Sequence, residues 1–250
     1  MKSIALITGA TSGIGEATAL ALADSYHLII CGRRKDRLDK LANVLKMKTD
    51  VTCLNFDIRD QGAVKAAIEG LDDTWRSISV LINNAGNAHG LHYIHEGSTE
   101  DWDAMIDINV KGLLYVSRAV IPQMVAKQEG NIINIGSTAG IDVYPRGNVY
   151  NASKFAVDAL TKGMRMDLNP YNIKVSEIKP GLVETEFSMV RFKGDGERSK
   201  QVYEGIEALQ AIDIAECISF VLSRPKHVTI ADMVVMPLAQ ASSTILNRKK

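Results

Sequence analysis

The sequence carries no excess of charge of either sign, because its 29 lysines and arginines balance its 29 aspartates and glutamates. It has neither a basic stripe nor a polybasic segment, so nothing in it favours a nucleic acid or an anionic lipid as partner. No apolar run reaches the roughly 20 residues needed to cross a bilayer. These absences exclude nucleic acid and membrane as expected partners and leave a small molecule as the expected ligand.

Cysteine is scarce: Cys31, Cys53 and Cys217 are the only three, and they lie far apart. An odd, scattered set fits neither a disulfide framework nor the spacing of metal ligands, so we predict no metal site. Cys31 and Cys53 fall in strand-like runs. Buried, reduced thiols in a cytoplasmic protein are therefore the favoured interpretation.

What the chain does contain is a regular alternation of apolar runs and helical patterns over its 250 residues. This alternation predicts a parallel sheet covered by helices on both faces, a doubly wound α/β fold in a single domain. We expect Ser98 or Thr99 to cap the fourth helix, and Pro122 to kink or shorten it. The predicted strands are 4–8, 27–31, 51–56, 78–82, 131–136, 173–178 and 233–236, and the predicted helices are 15–23, 36–46, 61–71, 98–127 and one through Tyr150 to 168.

The turn after the first predicted strand is rich in glycine. It reads G-x-x-x-G-x-G rather than the usual dinucleotide pattern G-x-G-x-x-G. Glycines permit a tight turn and close backbone approach, while the following helix offers free N–H groups to a pyrophosphate. A plain chain reversal is the alternative. The predicted nucleotide contacts here are Gly9, Thr11, Ser12, Gly13, Ile14 and Gly15.

Two arginines follow the second predicted strand, at Arg33 and Arg34. A cofactor with a free ribose 2′-hydroxyl would favour an Asp or Glu at about this place. A guanidinium instead matches a phosphate in charge and geometry. We therefore predict NADP rather than NAD, with Arg33 as the main contact and Arg34 as the second. The alternative is a merely solvated charged stretch over 33–37.

The ends of the third and fourth predicted strands carry further residues that could contact the cofactor. Asp57 can accept a hydrogen bond from the adenine amino group while Ile58 packs on the ring; the alternative for Asp57 is a helix N-cap. After the fourth strand, Asn84, Ala85 and Gly86 are small enough for the chain to pass close to a cofactor. Asn84 can also hydrogen-bond backbone across the strand ends. A structural turn is the alternative for this segment.

Tyr150 and Lys154 are spaced so that they share one face of a helix. A neighbouring ammonium is expected to lower the pKa of the phenol from about 10, which suits it to acid/base work at a carbonyl or alcohol. Ser137, at the end of the fifth predicted strand, can hydrogen-bond the same oxygen. Taken alone, a Tyr/Lys pair at this spacing is also common on solvated helices.

In order and spacing these motifs resemble those of the short-chain dehydrogenase/reductase family over essentially the whole chain. The resemblance implies a Rossmann-type fold, a nicotinamide cofactor and a homotetramer. The matching positions are Thr8-Gly9-x-x-x-Gly13-x-Gly15, Asn83-Asn84-Ala85-Gly86, Asn109, Ser137, Tyr150-x-x-x-Lys154 and Pro180-Gly181.

The same resemblance implies roles for these residues. Tyr150 would be the general acid/base, and Lys154 would lower its pKa and hold the nicotinamide ribose. Ser137 would orient the reacting oxygen, and Asn109 would complete a proton relay through a water near Lys154. The nicotinamide side of the site would be lined by Pro180, Gly181, Val183 and Thr185.

Stretches around Ser137, Tyr150 and 185–195 resemble the NADP-dependent 3-hydroxy acid dehydrogenases, which oxidise serine and allo-threonine. A small carboxylate substrate needs a cationic anchor, for which Arg191 is the first candidate and Arg146 the second. We expect a substrate lid over 184–210, glycine- and charge-rich as far as 200. The alternatives are an NADPH-dependent reductase of ketones or 3-oxoacyl thioesters, and a non-catalytic NADPH-sensing protein.

Overall fold

A computed structural model describes residues 2–249, which form a parallel seven-stranded sheet between two layers of helices. The strands in chain order are β1 (Ser3–Thr8), β2 (Tyr26–Gly32), β3 (Val51–Asn55), β4 (Ile78–Asn83), β5 (Gly130–Ile135), β6 (Ile173–Pro180), β7 (Val183–Glu184), β8 (Leu209–Gln210) and β9 (Asp232–Val235). The large sheet has the order β3-β2-β1-β4-β5-β6-β9, and β7 pairs with β8 separately. The predicted doubly wound, Rossmann-type fold is confirmed.

The helices are α1 (Gly13–Leu22), α2 (Lys35–Leu45), α3 (Gln61–Glu69), α4 (Thr99–Ile106), α5 (Leu113–Lys127), α6 (Asn148–Leu168), α7 (Phe187–Arg191), α8 (Gly196–Gln201) and α9 (Ala211–Leu222). The prediction misses α7, α8 and α9. The start of α9 is marked by a capping box, in which the side chains of Gln210 and Asp213 each accept a backbone N–H.

The strands are apolar on both sides, because each face of the sheet carries its own core. Along β1, Ala5 and Ile7 belong to the cluster under α1, α2 and α9, whereas Ile4 and Leu6 belong to the cluster under α3 and α5. This alternation follows from the two-residue period of a strand. Continuous apolar runs are therefore the sequence signature of this sheet.

The predicted helix over 98–127 is not continuous α-helix. The Ser98 side chain caps α4, as predicted, by accepting from the backbone N–H of Asp101. A π-helical turn, Asp107–Gly112, then separates α4 from α5. Pro122 lies inside α5, which continues to Lys127, so the predicted shortening at Pro122 is wrong. The π-turn matters for the site because it contains Asn109, and such turns occur often at functional sites.

All three cysteines are free: Cys31 is buried, whereas Cys53 and Cys217 are only half-buried. Burial raises the pKa of the Cys31 thiol, with the charge of Cys53 adding to the effect. Within residues 2–249, no helix combines the length and the apolar character needed to span a membrane.

Candidate active site

One cavity of about 550 Å³ opens where the strands end at their carboxyl termini. It is lined by nearly all the side chains that the sequence predicts for a cofactor and a reaction centre. These are Gly9, Thr11, Ser12, Gly13, Ile14, Arg33, Arg34, Asp57, Ile58, Asn84, Ala85, Gly86, Ser137, Tyr150, Lys154, Pro180, Gly181, Val183, Thr185 and Arg191. Gly15, Asn109 and Arg146 do not line it.

The glycine-rich turn has the backbone that only glycine adopts easily. Gly9 and Gly13 have φ of +66° and +55°, in the left-handed region. Gly15 serves another purpose: a Cβ there would collide with the carbonyl oxygen of Gly9 and lie 2.5 Å from Asn84 Nδ2. This glycine lets α1 pack closely against the turn, and because it does not line the cavity its contact with the nucleotide stays a prediction.

Asn84 ties the turn to the sheet. Its Nδ2 donates to the carbonyl oxygens of Thr8 (2.9 Å) and Gly9 (3.3 Å), and its backbone N–H donates to Thr8 Oγ1 (3.0 Å). The predicted hydrogen bonding across the strand ends is confirmed. These bonds fix the start of the glycine-rich turn, against which Ala85 and Gly86 run.

Asp57 is already engaged by a neighbour. Arg59 donates to its carboxylate from Nη2 (2.7 Å) and from its backbone N–H (3.0 Å). Burial alone would raise the pKa of Asp57, but the hydrogen bonds from Arg59 lower it below its usual value. The N-cap of α3 is Asp60, which accepts from Ala63, so the alternative N-cap role for Asp57 is wrong. The adenine contact stays a prediction.

The two arginines after β2 behave differently. Arg34 reaches over the glycine-rich turn: its Nη2 donates to Ser12 Oγ (2.8 Å) and Thr11 Oγ1 (3.1 Å), and its Nη1 to Glu186 (2.9 Å). The Arg33 side chain is 54% exposed, with Nη1 3.5 Å from the Asp57 carboxylate. Arg34 thus braces the turn, while Arg33 is the more exposed cation at the cavity rim.

Glu186 is a residue of this site that the prediction misses. Its carboxylate accepts from both Arg34 and Arg37, and these hydrogen bonds lower its pKa. The contact joins the 184–210 segment to the arginines after β2 across a long separation in sequence. Only the tertiary fold reveals such a pairing, since neither partner has a local signal for it.

Helix α6 brings Tyr150 and Lys154 to the cavity, where each is over nine-tenths buried. Lys154 Nζ donates to the carbonyl oxygen of Ile135 at the end of β5 (2.9 Å) and lies 6.0 Å from the centre of the Tyr150 ring. Burial lowers the pKa of Lys154 to about 8, against the opposing charge of Glu177. At neutral pH the ammonium is still mostly protonated.

The pKa of Tyr150 departs from its ordinary value in the opposite direction to the one predicted. Burial raises it, and the charge of Arg191 and a hydrogen bond with Ser137 only partly offset the rise. The guanidinium carbon of Arg191 lies 4.8 Å from the ring centre, closer than Lys154 Nζ. The expectation that Lys154 brings about a net lowering is wrong, because desolvation outweighs the neighbouring charges.

Ser137 stands just past the end of β5, as predicted. It is the N-cap of the short 3₁₀ turn Thr138–Gly140, and its Oγ accepts from the backbone N–H of Ala139 (3.1 Å). That bond fixes the orientation of the hydroxyl oxygen. The other hydrogen bond of this hydroxyl is with Tyr150, and it opposes the rise in the pKa of Tyr150.

The Asn109 side chain lies behind the cavity wall, where it is 2% exposed. Its Nδ2 donates to Asn87 O (2.8 Å) and Ser153 Oγ (3.0 Å), while its Oδ1 accepts from Asn87 N (2.9 Å). The side chain thus holds the loop after β4 against α6. The predicted part of Asn109 in a proton relay near Lys154 stays a prediction.

Arg191 projects from α7 beside the reaction centre. Its Nη2 donates to the hydroxyl of Tyr144 (2.7 Å), and its guanidinium lies 5.2 Å from the centre of the Phe187 ring. Among the described residues, its buried Nε has no hydrogen-bond partner. A buried donor left unpaired costs about 1–3 kcal/mol, so an anion bound here would relieve that cost. Tyr144 and Phe187 are further residues that the prediction misses.

Arg146, the second predicted anchor, is elsewhere. It has a φ of +66°, is exposed, and its guanidinium lies 5.2 Å from the centre of the Tyr93 ring. It borders a second, small cleft that His92, Trp102 and Tyr150 also line, and it does not line the main cavity. The loop before α6 places its guanidinium over the Tyr93 ring, and its role as a substrate anchor stays a prediction.

Comparison with known proteins adds independent findings. A family model described as short chain dehydrogenase matches residues 3–196. The chain is 45% identical over 240 residues to the NADP-dependent 3-hydroxy acid dehydrogenase YdfG of Salmonella typhi, covering 95% of this chain and 96% of that one. It is 41% identical over 245 residues to Sulfoacetaldehyde reductase 2 of Chromohalobacter salexigens, covering 97% of each.

Solved structures agree with these sequence relatives. The closed form of a serine dehydrogenase complexed with NADP+ superposes with a TM-score of 0.92 at 40% identity, over 99% of this chain and 100% of the other. The serine dehydrogenase of Escherichia coli gives a TM-score of 0.81 at 37% identity, over 95% and 99% of the two chains. Each likeness therefore extends over nearly the whole of both chains.

Proposed function

The chain belongs to the short-chain dehydrogenase family, and from that premise we propose that it transfers a hydride between NADP and the hydroxyl-bearing carbon of a small 3-hydroxy acid. Serine, allo-threonine and 3-hydroxypropionate represent the substrate class. The observation that carries the proposal is the position of Arg191. Its guanidinium carbon lies 4.8 Å from the centre of the Tyr150 ring, so that an anion anchor stands beside a potential acid/base.

The cavity fits the proposed cofactor. Gly9 and Gly13 leave their turn open for close approach, and Arg33 and Arg34 stand at the rim beside it. The turn and the N-terminus of α1 would hold the pyrophosphate, and the arginines the 2′-phosphate. When bound, NADP supplies the hydride chemistry, and the protein contributes binding, orientation and proton handling.

In this proposal Tyr150 exchanges the proton of the reacting oxygen, and Ser137 hydrogen-bonds that oxygen to orient it. Lys154, held on the carbonyl of Ile135, keeps a positive charge in the same buried space. Arg191 binds the substrate carboxylate. Because the side chains of Tyr150 and Lys154 are buried, bulk water has little access to the proton transfer.

Replacing Arg191 tests the anchor. We expect Arg191→Ala to raise KM for L-serine or 3-hydroxypropionate about 10- to 100-fold, the value of a charge-assisted hydrogen bond, and to leave activity on an uncharged alcohol nearly unchanged. Arg198→Ala is the matched control, since Arg198 packs on Phe192 in the same segment without lining the cavity. An unchanged kcat/KM for the acid in Arg191→Ala places the anchor elsewhere.

Replacing Arg33 tests the choice of cofactor. Arg33→Ala should weaken NADP+ binding about 10- to 100-fold and change the Kd for NAD+ little, because only NADP+ carries the 2′-phosphate. Isothermal titration with both cofactors measures this. Arg37→Ala is the control, an exposed arginine that lies outside the cavity lining. Equal losses for NADP+ and NAD+ would refute the assignment of Arg33.

Two alternatives are separated by steady-state assays. A reductase of ketones or 3-oxoacyl thioesters would prefer uncharged carbonyls, and Arg191→Ala would then spare its activity. A non-catalytic NADPH sensor would bind NADPH tightly without turning over any alcohol. Sulfoacetaldehyde belongs in the same screen, since a guanidinium binds a sulfonate as well as a carboxylate and a 41% identical relative is a sulfoacetaldehyde reductase by name.

Three further expectations remain, of which only the homotetramer comes from the family resemblance. The 184–210 segment, which carries Arg191 and Glu186, would act as the substrate lid. The enzyme would work as a homotetramer. It would work in the cytoplasm, with which three free thiols are compatible.

A further inference from the structure

A cluster of charged side chains lies where α6 packs on β6 and β9. The carboxylates of Asp158, Glu177 and Asp232 come within 4.8 Å of one another. Lys179 Nζ pairs with all three, at 2.9 Å from Asp158, at 3.3 Å from Glu177, and in close contact with Asp232. The ammonium of Lys179 thus occupies the place between the carboxylates that a bound cation would take.

Glu177 is the most deeply buried member of this cluster. Its side chain is 0% exposed, and within residues 2–249 neither carboxylate oxygen has a hydrogen-bond partner. A Cβ on Gly136 would collide with Oε1 and lie 2.9 Å from the Cδ of Glu177. The carboxylate is therefore packed directly against Gly136, a residue that lines the cavity.

Lys154 touches the neighbouring residue of the same strand end. Its Nζ donates to the carbonyl of Ile135, next to Gly136 in the chain. A buried ammonium and a buried carboxylate thus meet adjacent residues at the end of β5. Burying either charge alone is costly, and each reduces that cost for the other.

We propose that Glu177 is a positioning residue for the reaction, whose buried carboxylate favours the charged form of the Lys154 ammonium and helps to hold it in place. This inference rests on the proposed role of Lys154. Glu177 does not line the cavity, and in this proposal it acts on the site through Lys154. The position of this carboxylate also explains why residue 136 is a glycine, since a side chain there would collide with it.

The direction in which Glu177 shifts the pKa of Lys154 follows from the groups that face Glu177. The charged groups are Lys179 on its own strand, Asp158 and Lys154 on α6, and Asp232 on β9. Asn134, which is paired with Glu177 from β5, and Gly136, just past the end of β5, carry no charge. Burial raises the pKa of Glu177 to about 7, with Lys179 opposing and the two aspartates adding to the rise. Glu177 is therefore fully ionised only above about pH 7, where its negative charge raises the pKa of Lys154, so its removal should lower that pKa.

The outer members of the cluster have other partners as well. Lys162 lies 2.7 Å from Asp158, and Arg165 lies 3.3 Å from Asp232. Of the cluster's carboxylates, Glu177 is the one whose charge acts on Lys154. Asp158→Asn therefore offers a matched control that removes one carboxylate from the cluster without removing the charge that acts on Lys154.

The test measures the pH dependence of Lys154 modification by acetic anhydride, read by mass spectrometry, beside the pH profile of kcat/KM. Glu177→Gln should move the midpoint of Lys154 labelling about one pH unit lower, and move the loss of activity at high pH with it. Glu177→Asp, which keeps the charge, should restore both to near wild type. Asp158→Asn should leave both unchanged.

Glu177→Met removes the charge without burying an unpaired amide. If Glu177→Gln does not fold, the same labelling measurement is made on Glu177→Met. The inference is overturned if Glu177→Gln or Glu177→Met folds and the pH midpoint of its Lys154 labelling equals that of wild type. An equal shift in Asp158→Asn also overturns it. Because labelling needs no turnover, failure of the proposed function would show separately, as an absence of activity in the wild-type enzyme.

Discussion

Replacing Tyr150 by phenylalanine is expected to lower kcat about 10³-fold, the size of a general acid/base contribution, and to leave the Kd for NADPH within about threefold of wild type. The substitution removes one oxygen. The ring keeps its contacts, including the Phe187 ring 5.6 Å away and the Arg191 guanidinium. The loss should therefore fall on proton transfer rather than on folding or on cofactor binding.

Tyr203→Phe is the matched control for Tyr150→Phe. The Tyr203 hydroxyl also lines the cavity, but it contacts Ser188 and the carbonyl of Val183, so its removal should change kcat only a few-fold. Single-turnover rates and NADPH fluorescence titrations measure the two effects. A Tyr150→Phe enzyme that retains a tenth or more of wild-type kcat would rule out Tyr150 as the acid/base.

Lys154→Ala is expected to damage chemistry and cofactor binding together. We expect kcat to fall about 10²- to 10⁴-fold and the Kd for NADPH to rise about tenfold or more, because one buried ammonium serves both the proton transfer and the ribose. It also leaves the Ile135 carbonyl without its Lys154 hydrogen bond and Glu177 without the opposing charge. Some loss of thermal stability should accompany the loss of activity.

The control for Lys154→Ala is Lys162→Ala, on the same helix but exposed and paired with Asp158. It should leave kcat and the Kd for NADPH near wild type. Measuring kcat and the Kd at several pH values separates the two roles of Lys154. If Lys154→Ala lowered kcat with an unchanged Kd for NADPH, the proposed contact of Lys154 with the ribose would be refuted.

The sheet and the cavity rim were predictable because their signals are local. Buried parallel strands read as apolar runs, and the sites follow those runs directly at Gly9, Arg33, Asp57 and Asn84. The parallel direction of the strands follows from the alternation of strands and helices and from right-handed crossovers, whereas the strand order β3-β2-β1-β4-β5-β6 was not predicted. The ends of the elements and the helices α7 to α9 were harder to predict, and α9 was missed although its start carries a capping box.

What could not be predicted depends on distant parts of the chain. The raised pKa of Tyr150 depends on burial beneath α7, which no local pattern reports. Gly15 and Asn109 match the family motifs, yet their structural roles are packing against Gly9 and holding Asn87. Arg146 precedes the Tyr150 helix in sequence but faces Tyr93, because side-chain direction is set by the loop.

The most direct test of the account compares two substrates that differ only in their charged group. We predict that NADP+ reduction with 3-hydroxypropionate has a kcat/KM at least about 100-fold above that with 1-propanol, which replaces the carboxylate by a methyl group. The same measurement with NAD+ should give a much lower rate. Equal kcat/KM for the acid and the alcohol would contradict the proposal that this site is built for small 3-hydroxy acids.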